Sequence, residues 1–320
     1  MQLIKYFLVV FIMAVIIAGA ATWLTNKGLR QSKVDFYGTM NAASDTSKHA
    51  NIVIVGASRA LVQLDTRIID SATGLSSYNF GLNAASAKTC FNTIKYVLNY
   101  QKEVKLAILN VDFSIFNIAE DPYKDAYYYP FEKKLAGFIM SDTSSSRLVH
   151  KLKLFDISLY DDYTKYAAID GLLRPQRKIE GKYSGYIPQN INSDFSVPVA
   201  NPLKNSQVLD SATSFKYLAG IIELCKEKKV QLVFVVAPYY KECFPDKYFA
   251  NYTSLMQKAK QVAVQNNVLF LDYSAIPVAS EKKYFYNCNH LNGTGAAIYT
   301  TIVADTLTNY LKIKDLSQSN

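Results

Sequence analysis

The sequence contains few of the residues that bind transition metals in proteins. Its 320 residues include three histidines and four cysteines. The histidines His49, His150 and His290 lie far apart, and no two cysteines form a C-x-x-C pair. Structural zinc sites use cysteine and histidine ligands at short, regular spacings. We therefore expect no metal site, and we expect no other cofactor.

The sequence also lacks the basic runs that are typical of nucleic-acid-binding proteins. The formal net charge is +9, but no run of five or more basic residues, no zinc-finger spacing and no RNA-binding signature is present. We therefore expect no nucleic-acid partner. The positive net charge instead favours anionic surroundings such as phospholipid headgroups, teichoic-type polymers or acidic sugars. Half of the residues are hydrophobic, which is enough for a large buried core.

The four cysteines leave the disulfide pairing open. Cys90, Cys225, Cys243 and Cys288 allow three pairings in an exported protein, and their spacing favours none of them. Cys90 and Cys225 lie in helical patterns with apolar neighbours, so we expect both to be buried free thiols.

A long uncharged run occupies the N-terminus. The nineteen residues from Tyr6 to Leu24 carry no charge, and as a helix they would span about 28 Å, close to the hydrocarbon core of a bilayer. A retained signal-anchor helix is one interpretation. A cleaved signal peptide is the other, because Ala18-Gly19-Ala20 is similar to a cleavage site. The length of the run favours the anchor.

Short apolar strands alternate with helical patterns from residue 51 onward. The strand patterns are 51–55, 76–80, 104–113, 230–238 and 268–274, and the main helical patterns are 65–72, 87–102, 214–229, 252–267 and 293–313. This alternation predicts a three-layer α/β/α sandwich around a mainly parallel, five-stranded sheet. Ligands of such sheets bind at the carboxyl ends of the strands.

The same patterns predict the division of the chain. We expect an anchor or signal segment at 1–25, a polar linker at 26–50, the α/β domain at 51–313 and a polar tail at 314–320. An insertion at about 114–211 interrupts the domain and is rich in tyrosine, with nine between Tyr123 and Tyr186. These rings are suited to contact with sugars, but internal packing is the interpretation that we favour.

Two segments contain residues suited to nucleophilic catalysis. Ser58 follows the first strand in the turn Gly56-Ala57-Ser58, and His290 precedes the last helix in "NCNHLNGTGA". A serine nucleophile needs a base within hydrogen-bond reach, and histidine is the usual one. Each residue also has an ordinary interpretation. Serine after a strand is commonly a turn or N-cap residue, and a histidine before a helix can cap it or lie on the surface.

Together these segments resemble the SGNH (GDSL-type) hydrolase superfamily, over residues 51–112 and 213–313. The first turn is similar to the family's first block, with Ser58 as nucleophile. "NFG" (79–81) is similar to the second block, in which the Gly81 N–H would join the Ser58 N–H as an oxyanion donor. "NHLNGTGA" is similar to the last block, with His290 as base. The similarity is greatest to membrane-anchored members linked to acylation of cell-envelope polymers, and it implies a flavodoxin-like strand order.

The chain departs from the family pattern at three places. Ala57 replaces an aspartate of the first block. Asp112 stands where the third block has an oxyanion-hole asparagine, and a carboxylate there would oppose the negative charge that it should stabilise. Asn287 stands where the acid of the triad is expected; it can orient the imidazole but supplies no charge. Asp272 and Glu281 are candidate substitutes for that acid.

The resemblance implies a serine esterase or O-acyltransferase that acts on an ester-bearing glycan or teichoic-type polymer. It also implies export of the large domain, with a multi-pass membrane acyltransferase as a possible partner. Lys27, Arg30 and Lys33 follow the apolar run, so the positive-inside rule favours the opposite orientation. We favour export. A catalytically inactive binding or scaffold relative, and a structural domain with accidental motif matches, are the alternatives.

Overall fold

The structure is a computed structural model that describes residues 2–116, 122–134, 149–179, 182–190, 211–243 and 246–313. The described part contains two compact units, one formed by Met1–Ala42 with Tyr123–Ile179 and one by Ala43–Pro122 with Glu180–Asn320. The predicted tail at 314–320 and parts of the predicted insertion lie outside the described residues.

Helices and strands follow one another in the order that an α/β protein requires. In chain order they are α1 (Gln2–Leu29), α2 (Asp35–Ala43), β1 (Ile52–Val55), α3 (Ser58–Gln63), α4 (Thr66–Thr73), β2 (Ser77–Asn79), α5 (Ala87–Tyr100), β3 (Leu106–Asn110), α6 (Asp162–Leu173), α7 (Ser211–Glu227), β4 (Gln231–Val236), α8 (Asp246–Gln265), β5 (Leu269–Asp272), β6 (Phe285–Asn287), β7 (His290–Leu291) and α9 (Gly293–Ile313).

The second unit is built on a five-stranded parallel sheet. The strand order is β2-β1-β3-β4-β5, and every neighbouring pair in it is parallel. This confirms the predicted fold class and the flavodoxin-like order. Successive strands add to opposite sides of β1, so the strand order reverses between β1 and β3. Ligands of doubly wound sheets bind at the carboxyl ends of the strands beside such a point.

Both faces of the sheet are covered by helices. Alternate strand residues such as Ile54, Ile108 and Val235 pack in one core cluster with residues of α4 and α9. Their neighbours, among them Phe234, are equally buried on the opposite face, where α5 and α7 contact the sheet. Strands that are buried on both faces are apolar throughout, which explains runs such as "IVIV" and "LVFVV".

Helix α4 lies within one residue of the predicted helical pattern at 65–72. Asp65 is its N-cap and accepts a hydrogen bond from the Arg67 N–H, while Gly74 adopts a left-handed conformation (φ 69°) at its C-terminus. Glycine tolerates that conformation because it has no Cβ.

Residues 26–50 are not the linker that their polarity predicts. Helix α1 continues to Leu29, and α2 begins at Asp35 with Phe36, Tyr37 and Met40 fully buried. Phe36 packs against aromatic rings that include Tyr123, whose centroid lies 5.3 Å away. The apolar residues of α2 are few and separated by polar ones, so the local composition did not reveal this buried face.

Helices α1 and α6 of the first unit approach each other closely at two glycines. A Cβ on Gly28 would lie 2.1 Å from the Ala168 carbonyl oxygen, and one on Gly171 would lie 2.0 Å from the Gly28 carbonyl oxygen. Any larger residue at either position would separate the helices. The end of α1 is therefore part of a packed unit, while its first twenty residues are almost entirely exposed.

Six of the nine tyrosines of the predicted insertion are buried, which agrees with a role in packing, and Tyr163 is half-buried. Tyr166 and Tyr183 are exceptions, since 52% and 45% of their surfaces are exposed. The buried ones are Tyr123, Tyr127, Tyr128, Tyr129, Tyr160 and Tyr186.

Candidate active site

Ser58 lies at the carboxyl end of β1, beside the point where the strand order reverses. The turn before it is tight because Gly56 has no side chain: a Cβ there would lie 2.8 Å from the Ala60 Cβ and 2.9 Å from the Asn110 Cβ. Ala57 is the extended N-cap residue of α3, and Ser58 is the first residue of that helix.

The structure brings together the three residues that the sequence predicts as a catalytic set. The Ser58 Oγ lies 2.7 Å from the His290 Nε2, although the two residues are 232 positions apart in the chain. The His290 Nδ1 lies 2.9 Å from the Asn287 Oδ1. The chain of contacts from hydroxyl to imidazole to third residue is the arrangement in which histidine can act as a general base.

The Asn287 carboxamide determines which nitrogen of His290 carries the proton. Its Oδ1 accepts hydrogen bonds from the backbone N–H groups of Asn289 and His290, at 2.9 and 3.0 Å. Backbone N–H groups only donate, so the atom that faces them is the oxygen. The Nδ1 beside this oxygen must then donate, and the Nε2 is left to accept the Ser58 hydroxyl proton.

The environment of His290 favours its neutral form. Burial of the ring and, to a lesser extent, the positive charge of Arg59 lower the pKa of His290 to about 4. The imidazole is therefore unprotonated at neutral pH, as a general base must be.

The short loop between β6 and β7, which directly precedes His290, is held by three contacts. Cys288 forms a disulfide with Cys243, and its carbonyl oxygen accepts a 3.0 Å hydrogen bond from the Tyr240 N–H. The Gln63 side chain of α3 donates to the Asn289 carbonyl oxygen at 3.1 Å. This hydrogen bond connects the helix that begins with Ser58 directly to the loop before His290. Cys90 and Cys225 are buried free thiols, as the sequence predicts.

Asn292, and not His290, caps the last helix. The Asn292 Oδ1 accepts a 3.0 Å hydrogen bond from the Gly295 N–H in the first turn of α9. The interpretation of His290 as a capping residue is therefore wrong, and its ring is available to Ser58.

Arg59 is a residue of this site that the sequence analysis missed. It directly follows Ser58 and is 7% exposed. Its guanidinium donates to the carbonyl oxygens of Ala237 and Pro238 after β4 and lies over the Tyr239 ring. A charged residue inside the otherwise small and apolar turn "GASRA" was the available signal. The guanidinium fixes α3 against the end of β4 and adds a positive charge near His290.

The two backbone N–H groups that the sequence predicts as oxyanion donors have different surroundings in the structure. The Ser58 N–H belongs to the first turn of α3 and has no acceptor among the described residues. The Gly81 N–H, in contrast, donates to the Asn79 Oδ1 at 2.9 Å. Asn79 is held there because its Nδ2 donates to the Ala60 and Leu64 carbonyl oxygens. The prediction that Gly81 supplies an oxyanion donor does not hold in this arrangement.

Asp112 does not act as an oxyanion donor either. Its Oδ1 accepts from the Ser114 N–H at 2.8 Å and its Oδ2 accepts from the Asn110 side chain at 3.1 Å. Burial raises the pKa of Asp112, and the Arg59 charge partly opposes this rise. Both oxygens accept hydrogen bonds from residues two positions away in the chain, so this arrangement gives no support to the predicted donor role of Asp112.

Neither proposed substitute for the triad acid reaches His290. Asp272 accepts a hydrogen bond from the Ser274 N–H, and Glu281 pairs with Lys283 at 2.6 Å. Within the described residues no carboxylate lies within ion-pair distance of the His290 ring. Asn287 is therefore the third member of the set, and the set carries no negative charge.

No protein-family model matches the sequence, and no curated protein matches it either. Among solved structures, the chain is similar to the crystal structure of a Bacteroides fragilis protein described as a "putative acylhydrolase". The TM-score is 0.43 and the sequence identity is 10%, over 83% of this chain and 93% of that one. A likeness this distant says nothing about the activity of the present chain.

Proposed function

We propose that this chain is a membrane-anchored serine esterase or O-acyltransferase of the SGNH type. Its substrate would be an ester or acyl group on a cell-envelope polysaccharide or teichoic-type polymer. The observation that carries the proposal is the hydrogen-bonded series Ser58, His290 and Asn287 at the carboxyl edge of the sheet.

The acylation step follows from the tautomer of His290. The Ser58 oxygen attacks the acyl carbonyl carbon while its proton moves to the His290 Nε2. The carbonyl electron pair moves onto the oxygen and forms an oxyanion, to which the Ser58 N–H would donate. The intermediate then expels the alcohol oxygen, which takes the proton from Nε2, and leaves an acyl group on Ser58.

The second step determines whether the chain hydrolyses or transfers. A hydroxyl group gives its proton to the His290 Nε2 and attacks the acyl carbon, and the Ser58 oxygen leaves with that proton. Water as the attacking group gives hydrolysis, and a polymer hydroxyl gives O-acyl transfer.

Two features support an extracytoplasmic location for the catalytic unit. Helix α1 is long and apolar enough to be a membrane anchor or a signal sequence. The Cys243–Cys288 disulfide is of the kind that persists in oxidising compartments outside the cytoplasm.

A serine-directed fluorophosphonate probe tests the nucleophile. The wild-type chain should be labelled near neutral pH, and labelling should be lost in Ser58→Ala and strongly reduced in His290→Ala. Ser47→Ala is a matched control, because Ser47 is exposed and its hydroxyl donates a hydrogen bond to the nearby Asp45 carboxylate. Equal labelling of wild type and Ser58→Ala would contradict the proposal.

A catalytically weak scaffold that partners a membrane acyltransferase is the second candidate. The neutral Asn287 favours it, because the imidazolium formed during catalysis has no carboxylate beside it. Ester hydrolysis by the purified chain that disappears in His290→Ala would exclude this candidate.

A further inference from the structure

A cleft of about 650 Å³ lies along one face of α1 in the first unit. The α1 residues that line it recur every three or four positions, among them Gly19, Trp23 and Lys27, and Arg30 directly after the helix and Lys153 also line it. Residues at this spacing share one face of a helix. The cleft therefore follows the helix over roughly 17 Å, from the apolar run into the charged segment beyond it.

The two ends of the cleft differ in polarity. Gly19, Thr22 and Trp23 lie within the uncharged run, whereas Lys27 and Arg30 follow its end at Leu24. Tryptophan is enriched at the boundary between the hydrocarbon core and the headgroups of a bilayer. A phospholipid has the same order of groups, with acyl chains, then ester groups, then a phosphate.

The charged end of the cleft is cationic. Lys27 and Arg30 lie at this end, Lys153 also lines the cleft, and among the described residues no acidic side chain lines it. The Arg30 Nε donates to the Pro130 carbonyl oxygen at 2.9 Å, which holds this guanidinium in place. The Lys27 ammonium lies 5.3 Å from the centre of the Trp23 ring. An anionic group in the cleft would have these three positive charges around it.

The apolar end of the cleft is extended by the Leu154 side chain. The Leu154 carbonyl oxygen accepts a 2.8 Å hydrogen bond from the Thr22 hydroxyl, which places this segment against α1. The Leu154 side chain lies 3.0 Å from the position of a Cβ on Gly19, so it reaches the level of the apolar run. Leu152 and Leu154 are 56% and 39% exposed, as acyl-chain contacts would require.

We propose that this cleft binds an anionic phospholipid of the bilayer that α1 crosses. The phosphodiester would lie among Lys27, Arg30 and Lys153, and the acyl chains would lie against Leu152 and Leu154. The inference rests on the membrane anchoring given under the proposed function. It also gives the cations after the apolar run a role at the outer surface of the membrane, so their presence no longer argues against export.

Trp23 is the single tryptophan of the chain, so its fluorescence reports on this cleft alone. The full-length protein is reconstituted in phosphatidylcholine nanodiscs that contain a small fraction of dibrominated phosphatidylglycerol or, in parallel, of dibrominated phosphatidylcholine. Bromine quenches tryptophan at short range. Each basic residue near an anionic headgroup favours binding by roughly fivefold. We therefore expect stronger quenching by the anionic lipid, at a fraction at least fivefold lower than the neutral lipid requires.

The variant Lys27→Gln with Lys153→Gln should remove most of this preference. Lys33→Gln with Lys151→Gln is the matched control, because it removes the same charge from two exposed lysines outside the cleft. An equal loss of the preference for the anionic lipid in both double variants would indicate general attraction to an anionic surface and would overturn the inference. Retention of the preference in Lys27→Gln with Lys153→Gln would overturn it as well.

Further measurements distinguish a lipid phosphate from a soluble phosphate, and failure of the lipid site from failure of the membrane anchoring. Displacement of the lipid preference by millimolar glycerol phosphate at constant ionic strength would indicate a site for soluble phosphates and would overturn the inference. Equal quenching by both brominated lipids would overturn the lipid site alone, whereas no quenching by either would contradict the anchoring too. Fluorophosphonate labelling of Ser58 should be unchanged in both double variants.

Discussion

At the scale of single residues, Asn287 affects both the tautomer of His290 and the charge beside its ring, and the sequence does not separate these two effects. In serine proteases, replacement of the triad aspartate by asparagine lowers kcat about 10⁴-fold because the histidine adopts the wrong tautomer. Here two backbone N–H groups hold the Asn287 oxygen toward the Nδ1 of His290. The tautomer is therefore the one that the proposed mechanism needs, and only the charge of a carboxylate is missing.

Asn287→Asp should increase the activity. A carboxylate beside the Nδ1 stabilises the imidazolium of the transition state, so we expect the fluorophosphonate labelling rate near neutral pH to rise by about tenfold or more. Asn289→Asp is the matched control, because it adds the same charge two residues away and its side chain does not contact the ring. A variant at 287 that is no faster than the control would show that charge does not limit the rate.

The pH dependence of labelling should reflect the lowered pKa of His290. With that pKa near 4, the ring stays neutral down to about pH 5, so the rate should be constant above this value and fall as the pH drops through 4. Asn287→Asp should move the midpoint upward. A wild-type midpoint near 6.5, the ordinary value for histidine, would contradict the structure.

The same shift has a defined effect on stability. Between the folded pKa of about 4 and the unfolded value of about 6.5, the unfolded chain binds a proton that folded His290 does not. The free energy of unfolding should therefore rise with pH across this window and fall as the pH drops through it. Urea unfolding of wild type and His290→Ala at about pH 4 and 7 measures the difference, which should be smaller in the variant.

At the scale of elements, the loop between β6 and β7 depends on a crosslink that the sequence left open. The disulfide joins Cys243, after β4, to Cys288, which lies between Asn287 and His290 in the chain. It closes a loop with a sequence separation of 45 residues. The crosslink therefore restricts the segment that must present the imidazole to Ser58.

Replacing both cysteines by serine should destabilise the fold and reduce labelling. The chain-entropy model for a loop of this length gives a loss of about 4 kcal/mol in the free energy of unfolding. Urea unfolding measures the loss, and a reductant should lower the stability of the wild type without changing Cys243→Ser with Cys288→Ser. Cys90→Ala with Cys225→Ala should keep its response to reductant. If a reductant left the free energy of unfolding of the wild type unchanged, the crosslink would not stabilise this fold.

At the scale of the whole molecule, α1 combines a candidate membrane span with a segment that packs in the first unit. Its first residues are exposed and apolar, but its last turns pack against α6 through Gly28 and Gly171. Cleavage after Ala20 would keep these last turns and remove the membrane span. A retained anchor and a cleaved signal peptide would therefore leave the same folded units, but only the anchor would keep the protein in the membrane.

We expect the mature protein to keep its N-terminus and to remain with the membrane after carbonate extraction. Intact mass measurement of the protein from its native host distinguishes the retained helix from a chain that begins at Ala21. A C-terminal alkaline phosphatase fusion should be active, because that enzyme requires an oxidising compartment. Activity of a cytoplasmic reporter at the same position would show that the catalytic unit faces the cytoplasm.

The sequence by itself determined the sheet, most helices and the proximity of Ser58 to His290. Hydrophobic period and capping residues such as Asp65 and Gly74 act locally, so they can be read from neighbouring positions. Ser58 and His290 could be paired because parallel strands place the loops after them at one edge of the sheet. The resemblance to a known family supplied the rest of that expectation.

Only the tertiary structure decided the direction of side chains and the partners of buried groups. The Gly81 N–H donates to Asn79, both oxygens of Asp112 accept within their own loop, and Arg59 points into the protein. The disulfide, the buried face of α2 and the cationic cleft also join segments far apart in the chain. Such contacts depend on distances through space, and a linear pattern of residue types contains no information on which of several possible partners lies within hydrogen-bond reach.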